Sequence, residues 1–421
     1  MKRGRGTFLL GFLMSAGALP LPAQSGRAVE KLLQRGAAAW KAGKALEAMD
    51  WFGRALARAP RMEALREAFE KAAGAALDQA LAAGARDRAR RICREALARL
   101  GDHPRFGLSL GRILAAQGRL DAARRILERT ARLPGGGPAL LELARLLRRQ
   151  GDLEGGADLL EEAGSRLPAR LRGALASWAR MWRLDARIRK NKIAGRYSGG
   201  PIFLPRSLSH SERRFLTLLA GRALSQAARV TGLPDRERVE VVFSTPEELK
   251  ALGGPAWAAG LFQDGVVRVL HRPGARRPLE RALRHEFGHA LLTALSPGLP
   301  GWLQEGVAQM AEEKDPARSL AYLRSLPGAL LPGAALESGF TWMRDSRLAR
   351  AAYAESHLVT LYLFQTRPGR RAALYQALSG SAGDPSRALR TWMGRSLDGA
   401  LRAMARRFRL RPPPRAARPP R

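Results

Sequence analysis

Two histidines, His285 and His289, stand four residues apart in His285-Glu286-Phe287-Gly288-His289. On a helix, side chains at i and i+4 share a face, so two imidazoles at this spacing can bind one divalent ion, zinc above all. The intervening Glu286 is then placed to activate a water held by that ion. With six histidines in 421 residues, a chance match to H-E-x-x-H has odds of about 0.4%. A catalytic zinc needs a third protein ligand and one open position for water. Glu305 follows His289 in Pro300-Gly301-Trp302-Leu303-Gln304-Glu305-Gly306-Val307-Ala308, a segment whose first-turn proline starts a helix. Two helices joined by a short turn would let His285, His289 and Glu305 converge as a His₂Glu site for one Zn²⁺ per chain.

The surrounding pattern must position these groups. A helix is predicted from about Pro278 to Ser296 around the motif, after a helix from Ser209 to about Val230 and a β-branched strand from Val239 to Phe243. Thr245 as N-cap, Pro246 in the first turn and Glu248 as capping-box partner start another helix. Gly260-Leu261-Phe262 and Val266 to Leu270 read as two strands joined by an Asp-Gly turn. Beyond residue 275 the pattern is helical. Leu410 to Arg421, all but Leu410 and two alanines Pro or Arg, is expected to be disordered because it has nothing to bury.

His285 to His289 followed by P-G-W-L-Q-E-G-V-A resembles the gluzincin metallopeptidases, in particular the peptidase MA-like group, whose members carry H-E-x-x-H and then P-x-W-L-x-E-G-x-A. The strand and hairpin before the motif, with Pro255-Ala256-Trp257-Ala258-Ala259-Gly260, extend the similarity over about residues 239–363. The resemblance implies an α+β zincin-like metallopeptidase domain over residues 206–409, with His285, His289 and Glu305 as zinc ligands and Glu286 as general base in peptide-bond hydrolysis. It also implies an oxyanion donor from a later helix. Tyr353 fits the family's Y-x-x-S stretch, and His357, one turn on, is the alternative. Relatives often have an acid where Gln309 stands, able to orient a ligating histidine; a Gln carbonyl can accept the same hydrogen bond without charge. His210 and His271 are weaker candidate ligands. The strand Val266 to Leu270 is expected to be the sheet edge that receives extended substrate.

The rest of the chain reads differently. Over residues 28–168, Gly43, Gly84, Gly118 and Gly151 recur at intervals of 41, 34 and 33, each followed five positions on by a small residue: Ala48, Ala89, Ala123 and Gly156. The order Gly43, Ala48, Phe52, Ala55, Pro60 resembles a tetratricopeptide (TPR) repeat, which implies an all-α solenoid whose hairpins bury their apolar faces on one another and offer a surface to a protein partner. Cys93 occupies the place of Phe52 and Leu127 and reads as a core filler; as the one cysteine, it excludes intrachain disulfides and cysteine-based zinc knuckles. Residues 169–205 are expected to link the two domains.

Lys2, Arg3 and Arg5, an apolar run from Phe8 to Leu19, and Pro20-Leu21-Pro22-Ala23 match a secretory signal over residues 1–23. No cysteine lies near the expected cleavage, so the exported form, periplasmic or secreted, would not be a lipoprotein. The net charge is +36, from 73 Lys plus Arg against 37 Asp plus Glu. It is spread over repeats, linker and tail without a nucleic-acid module, and suggests peripheral contact with an anionic envelope surface rather than nucleic acid. The expected function is an exported zinc metallopeptidase acting on peptide or protein substrates, with repeats that recruit substrate or a partner. The alternative is a non-catalytic envelope scaffold with a structural or inactive zinc domain.

Overall fold

A computed structural model describes residues 23–235, 238–253, 258–272, 274–296, 298–337, 340, 343, 345–366, 369–380 and 385–414. The expected signal segment lies outside the described residues except for Ala23, as do Pro255, Ala256 and Trp257. The chain divides into two compact units, one ending at Arg183 and the other beginning at Leu184. No helix among the described residues is long and apolar enough to cross a membrane.

The first unit is a run of helices: α1 (Ala23–Lys41), α2 (Ala45–Arg58), α3 (Glu63–Ala82), α4 (Arg86–Leu100), α5 (Pro104–Ala116), α6 (Leu120–Ala131), α7 (Gly137–Gln150), α8 (Leu153–Arg166) and most of α9 (Ala169–Lys190). Gly43, Gly84, Gly118 and Gly151 all adopt positive φ, between +67° and +93°, in the turns between helices, which is where a residue without Cβ is needed. The small residues five positions later are buried, as the hairpin packing requires. Cys93 is fully buried, like Phe52, and burial pushes its thiol up to about 12, so it fills the core as expected. Part of the large positive charge also serves the fold. Arg99 donates to the Gly53 carbonyl at 2.7 Å, Arg105 to that of Gly74 at 3.1 Å and Arg166 to that of Ala131 at 2.8 Å, each joining helices from different parts of the array.

In the second unit, β1 (Lys192–Tyr197), β2 (Gly200–Pro205), β3 (Glu240–Ser244), β4 (Gly260–Gln263) and β5 (Val266–Leu270) form one sheet in the order β1-β2-β3-β5-β4. The β2/β3 and β3/β5 pairs are parallel; β1/β2 and β4/β5 are antiparallel. Asp264 and Gly265, at φ +53° and +80°, make the predicted hairpin turn. The predicted capping box forms, Thr245 with Glu248 at the start of α11 (Pro246–Ala251), and the structure shows a second, Ser209 with Glu212 at the start of α10 (His210–Thr231). Val241, Phe243, Val267 and Val269 share a buried core with Leu283, Phe287 and Leu291 of α12 (Arg276–Leu295). The helices that follow are α13 (Gly301–Ala311), α14 (Pro316–Ser325), α15 (Gly333–Glu337), α16 (Ser346–Gln365), α17 (Arg370–Gly380), α18 (Pro385–Met393) and α19 (Leu397–Phe408).

Two expectations require correction. Residues 169–205 are not a linker but α9, β1 and β2, and the boundary between the units falls inside α9. A buried ion network holds the end of that helix. The Asp185 carboxylate, 1% exposed, accepts from Arg189 at 2.6 Å and from Arg268 of β5 at 2.7 Å; Arg189 also pairs with Glu240 of β3, and Lys192 with Glu248 at 2.8 Å. Charges that look solvated along the chain are thus satisfied by partners distant in sequence. The expected tail disorder also fails for residues 410–414. The Leu330 N–H donates to the Arg411 carbonyl at 3.1 Å, the Arg411 guanidinium donates to the Pro327 carbonyl at 2.6 Å, and Pro413 is buried. Backbone carbonyls, with the Arg411 guanidinium, hold a segment that has few apolar side chains to bury. Residues 415–421 lie outside the described residues.

Two buried ionisable groups on α16 give the unit a pH signature. Glu355, whose oxygens accept the Leu331 N–H at 3.0 and 3.1 Å, is pushed up to about 8 by burial. His357, whose Nδ1 lies 3.0 Å from Ser319 Oγ, is pushed down to about 4 by burial. The folded state therefore holds the Glu355 proton where the unfolded chain has lost it, and this contribution disappears as pH rises toward 8; the His357 contribution is lost in the opposite direction, as pH falls below its ordinary value of 6.5. Between pH 6.5 and 8 the Glu355 effect is separated from that of His357, and comparison with a Glu355 variant separates it from other groups. Urea unfolding is expected to show stability falling by about 2 kcal/mol more in wild type than in Glu355→Gln across that interval; equal slopes would refute the buried, protonated carboxyl.

Candidate metal centre

The site begins with helix spacing. A Cβ at Gly288 of α12 would lie 2.8 Å from Ala308 Cα of α13, and one at Gly306 of α13 would lie 2.6 Å from the Ser356 carbonyl oxygen of α16. Only glycine permits such approaches, so α12, α13 and α16 meet at near backbone contact. The predicted residues are brought together as a result. Glu305 Oε2 lies 3.4 Å from His285 Nε2 and 3.6 Å from His289 Nε2, and one ligand atom from each of the three lies within 4.8 Å of the others. Tetrahedral ligands at about 2.1 Å from an ion stand about 3.4 Å apart, so the spacing fits. Glu305 Oε2 is also buried without a hydrogen bond, an orphaned acceptor that a metal ion would satisfy.

Electrostatics favour a cation in this position. Burial alone would lower the proton affinity of His285, yet the carboxylates of Glu305 and Glu312 raise it well above the ordinary imidazole value. Burial pushes the Glu305 carboxyl up, but His289, His285 and a hydrogen bond from Tyr353 together hold it below the usual range. For His289 burial prevails and the shift is downward. The outer nitrogens also have partners: His285 Nδ1 stands 3.4 Å from Glu312 Oε2, and His289 Nδ1 stands 3.5 Å from Gln304 Oε1, whose amide reaches Thr293 at 3.3 Å. Protons on both Nδ1 atoms would leave both Nε2 lone pairs facing Glu305.

Gln309 does not orient a ligating histidine. Its Nε2 donates to the Tyr353 carbonyl at 2.7 Å, and its Oε1 accepts from Lys314 at 2.6 Å. The acid beside His285 is Glu312, at the C-terminus of α13, where the helix faces α12; position 309 faces α16 instead. Neither Glu312 nor Gln304 was singled out by the sequence pattern. Of the two oxyanion candidates, Tyr353 hydrogen-bonds Glu305 and lines the cleft beside it. His357 is fully buried against Ser319 and does not line that cleft. His271 packs edge-on to Phe243, and neither it nor His210 belongs to the donor cluster.

Glu286 faces the same cleft of about 940 Å³ without being one of the three donors. It is 7% exposed, accepts a hydrogen bond from the Phe262 backbone and is pushed up to about 7 by burial. A Cβ on Gly260 would fall 2.7 Å from its Cγ and Oε1, so β4 seats this carboxylate from the side. The hairpin also corrects the expected sheet edge: β5 is interior, paired on both sides, and β4 is the edge strand beside the cleft.

A family model for the tetratricopeptide repeat matches residues 80–133, which span α4, α5 and α6 with the turn glycines Gly84 and Gly118. Repeats of this kind mediate contacts between proteins. No curated protein matches the chain.

The packing generates a direct test. Gly288→Ala should separate α12 from α13 and weaken Zn²⁺ binding by about tenfold or more, read by competition with a chromophoric chelator. Gly260→Ala, which touches no metal donor, should leave binding near the wild-type value. Similar affinities for Gly288→Ala and wild type would mean that helix approach does not set the donor geometry.

Proposed function

We propose that the second unit is a zincin-like metallopeptidase domain of the gluzincin type, and that the chain is an exported zinc-dependent metallopeptidase whose tetratricopeptide repeats recruit substrate or a protein partner. The observation that carries this reading is Glu286. Holding a metal ion requires no carboxylate between the two histidines, yet one is buried there and seated by β4. Export rests on the pattern of residues 1–23.

Zinc held by His285, His289 and Glu305 would lower the pKa of a coordinated water toward 7 and polarise a substrate carbonyl. Glu286 takes a proton from the attacking water on its carboxylate and passes it to the leaving amine. The Tyr353 hydroxyl, beside Glu305, donates a hydrogen bond to the oxygen on which charge develops. Gln309 holds the Tyr353 backbone, and Glu312 and Gln304 keep the imidazoles in one tautomer. The free edge of β4 offers main-chain groups to an extended peptide.

The tetratricopeptide match favours a second reading, a non-catalytic scaffold with a structural metal domain. Glu286→Gln separates the two. On purified protein and a peptide library, the variant should keep stoichiometric zinc while chelator-sensitive cleavage falls by about 10² to 10⁴-fold. Equal cleavage by both proteins, or none by wild type, would overturn the peptidase mechanism.

A further inference from the structure

The cleft has a charge pattern that hydrolysis itself does not use. Apart from Glu286 and Glu305, its walls contain five cationic side chains and one acid, Glu312. Glu312 is engaged by His285 and by Arg281 at 3.1 Å, and Lys314 is hydrogen-bonded to Gln309. Arg277, Arg318 and Arg350 remain, with no acidic partner among the described residues. They are exposed and come from three helices: Arg277 from α12, two turns before His285, Arg318 from α14, and Arg350 from α16, one turn before Tyr353. The walls formed by α14 and α16 are tied together, since the Tyr322 hydroxyl donates to the Arg347 carbonyl at 3.1 Å. Arg318 lies one turn before Tyr322, so it and Arg350 line the same side of the cleft as Tyr353.

Like charges gathered around one concavity repel unless an anion joins them, and their field is focused by the cleft walls. A guanidinium is also the group best matched to a carboxylate, through paired N–H donors. We propose that this cleft selects peptides with carboxylate side chains, and that Arg318 and Arg350 bind an acidic residue near the scissile bond. One helical turn is about 5.4 Å and an extended peptide advances about 3.4 Å per residue. An acid reached by Arg350 therefore stands within about two residues of the carbonyl facing Tyr353. Arg277 meets a further acid toward the N-terminal end of α12. Cleavage of such peptides rests on the metallopeptidase reading; their capture does not.

The test uses the mature chain carrying Glu286→Gln as a non-cleaving trap. The probes are a fluorescein-labelled alanine-rich peptide with glutamates on both sides of a central phenylalanine, and its glutamine counterpart. Fluorescence anisotropy should give about tenfold tighter binding of the glutamate peptide at low salt, an advantage that shrinks as salt is raised. The advantage should vanish in Arg318→Gln/Arg350→Gln and persist in Arg318→Lys/Arg350→Lys, with circular dichroism confirming that each variant is folded. Equal binding of the two peptides, or an advantage that survives removal of both arginines, overturns the proposal. Wild-type cleavage separates the two claims: preferential binding without cleavage leaves the proposal standing and removes the peptidase, whereas chelator-sensitive cleavage indifferent to the acids does the reverse.

Discussion

The centre depends on how closely three helices can approach. Gly288 brings α12 against Ala308, and Gly306 brings α13 against the backbone of α16. Between them, α13 presents Glu305 to the two histidines on one side and Gln309 to the Tyr353 backbone on the other. One short helix thereby fixes both the donor triangle and the hydroxyl beside it. Larger side chains at either glycine would move Glu305 relative to imidazoles on another helix, and metal ligation tolerates only small errors in such distances.

This arrangement gathers charge in a buried place, which is costly unless the charges answer one another. Glu305 faces two imidazole nitrogens, Glu312 faces the outer nitrogen of one, and Arg281 faces Glu312. Glu286 is supported differently, by a backbone hydrogen bond from an edge strand and by the open space that Gly260 leaves. The sheet thus reaches the site through β4 rather than through its buried strands. The repeat unit has its own logic, in which glycine turns and buried small residues let helices stack.

Local signals in the sequence translated well into structure. The H-E-x-x-H spacing put both imidazoles on one face, Pro300 opened the helix carrying Glu305, Thr245 capped the helix it was expected to cap, and a helix began after Ser209 as the pattern required. These features depend on neighbours three or four residues away. What escaped depends on partners far along the chain. Glu312 was invisible because its role follows from the rotation of α13 against α12, and Gly260 because nothing local pairs a strand glycine with a helix carboxylate. The supposed linker hid its purpose for the same reason: Asp185 meets Arg268 across 83 positions. His357 occurs on the expected helix but faces Ser319, a distinction of one turn that spacing alone could not make.

The most direct test of the centre is X-ray absorption at the zinc edge on the purified, zinc-loaded protein. Two imidazole nitrogens and oxygen donors at about 2.0 to 2.1 Å, with the imidazole signature reduced when His289 is replaced by alanine, are the expected result. A spectrum of oxygen donors alone, or one unchanged by that substitution, would contradict a metal centre built from His285, His289 and Glu305.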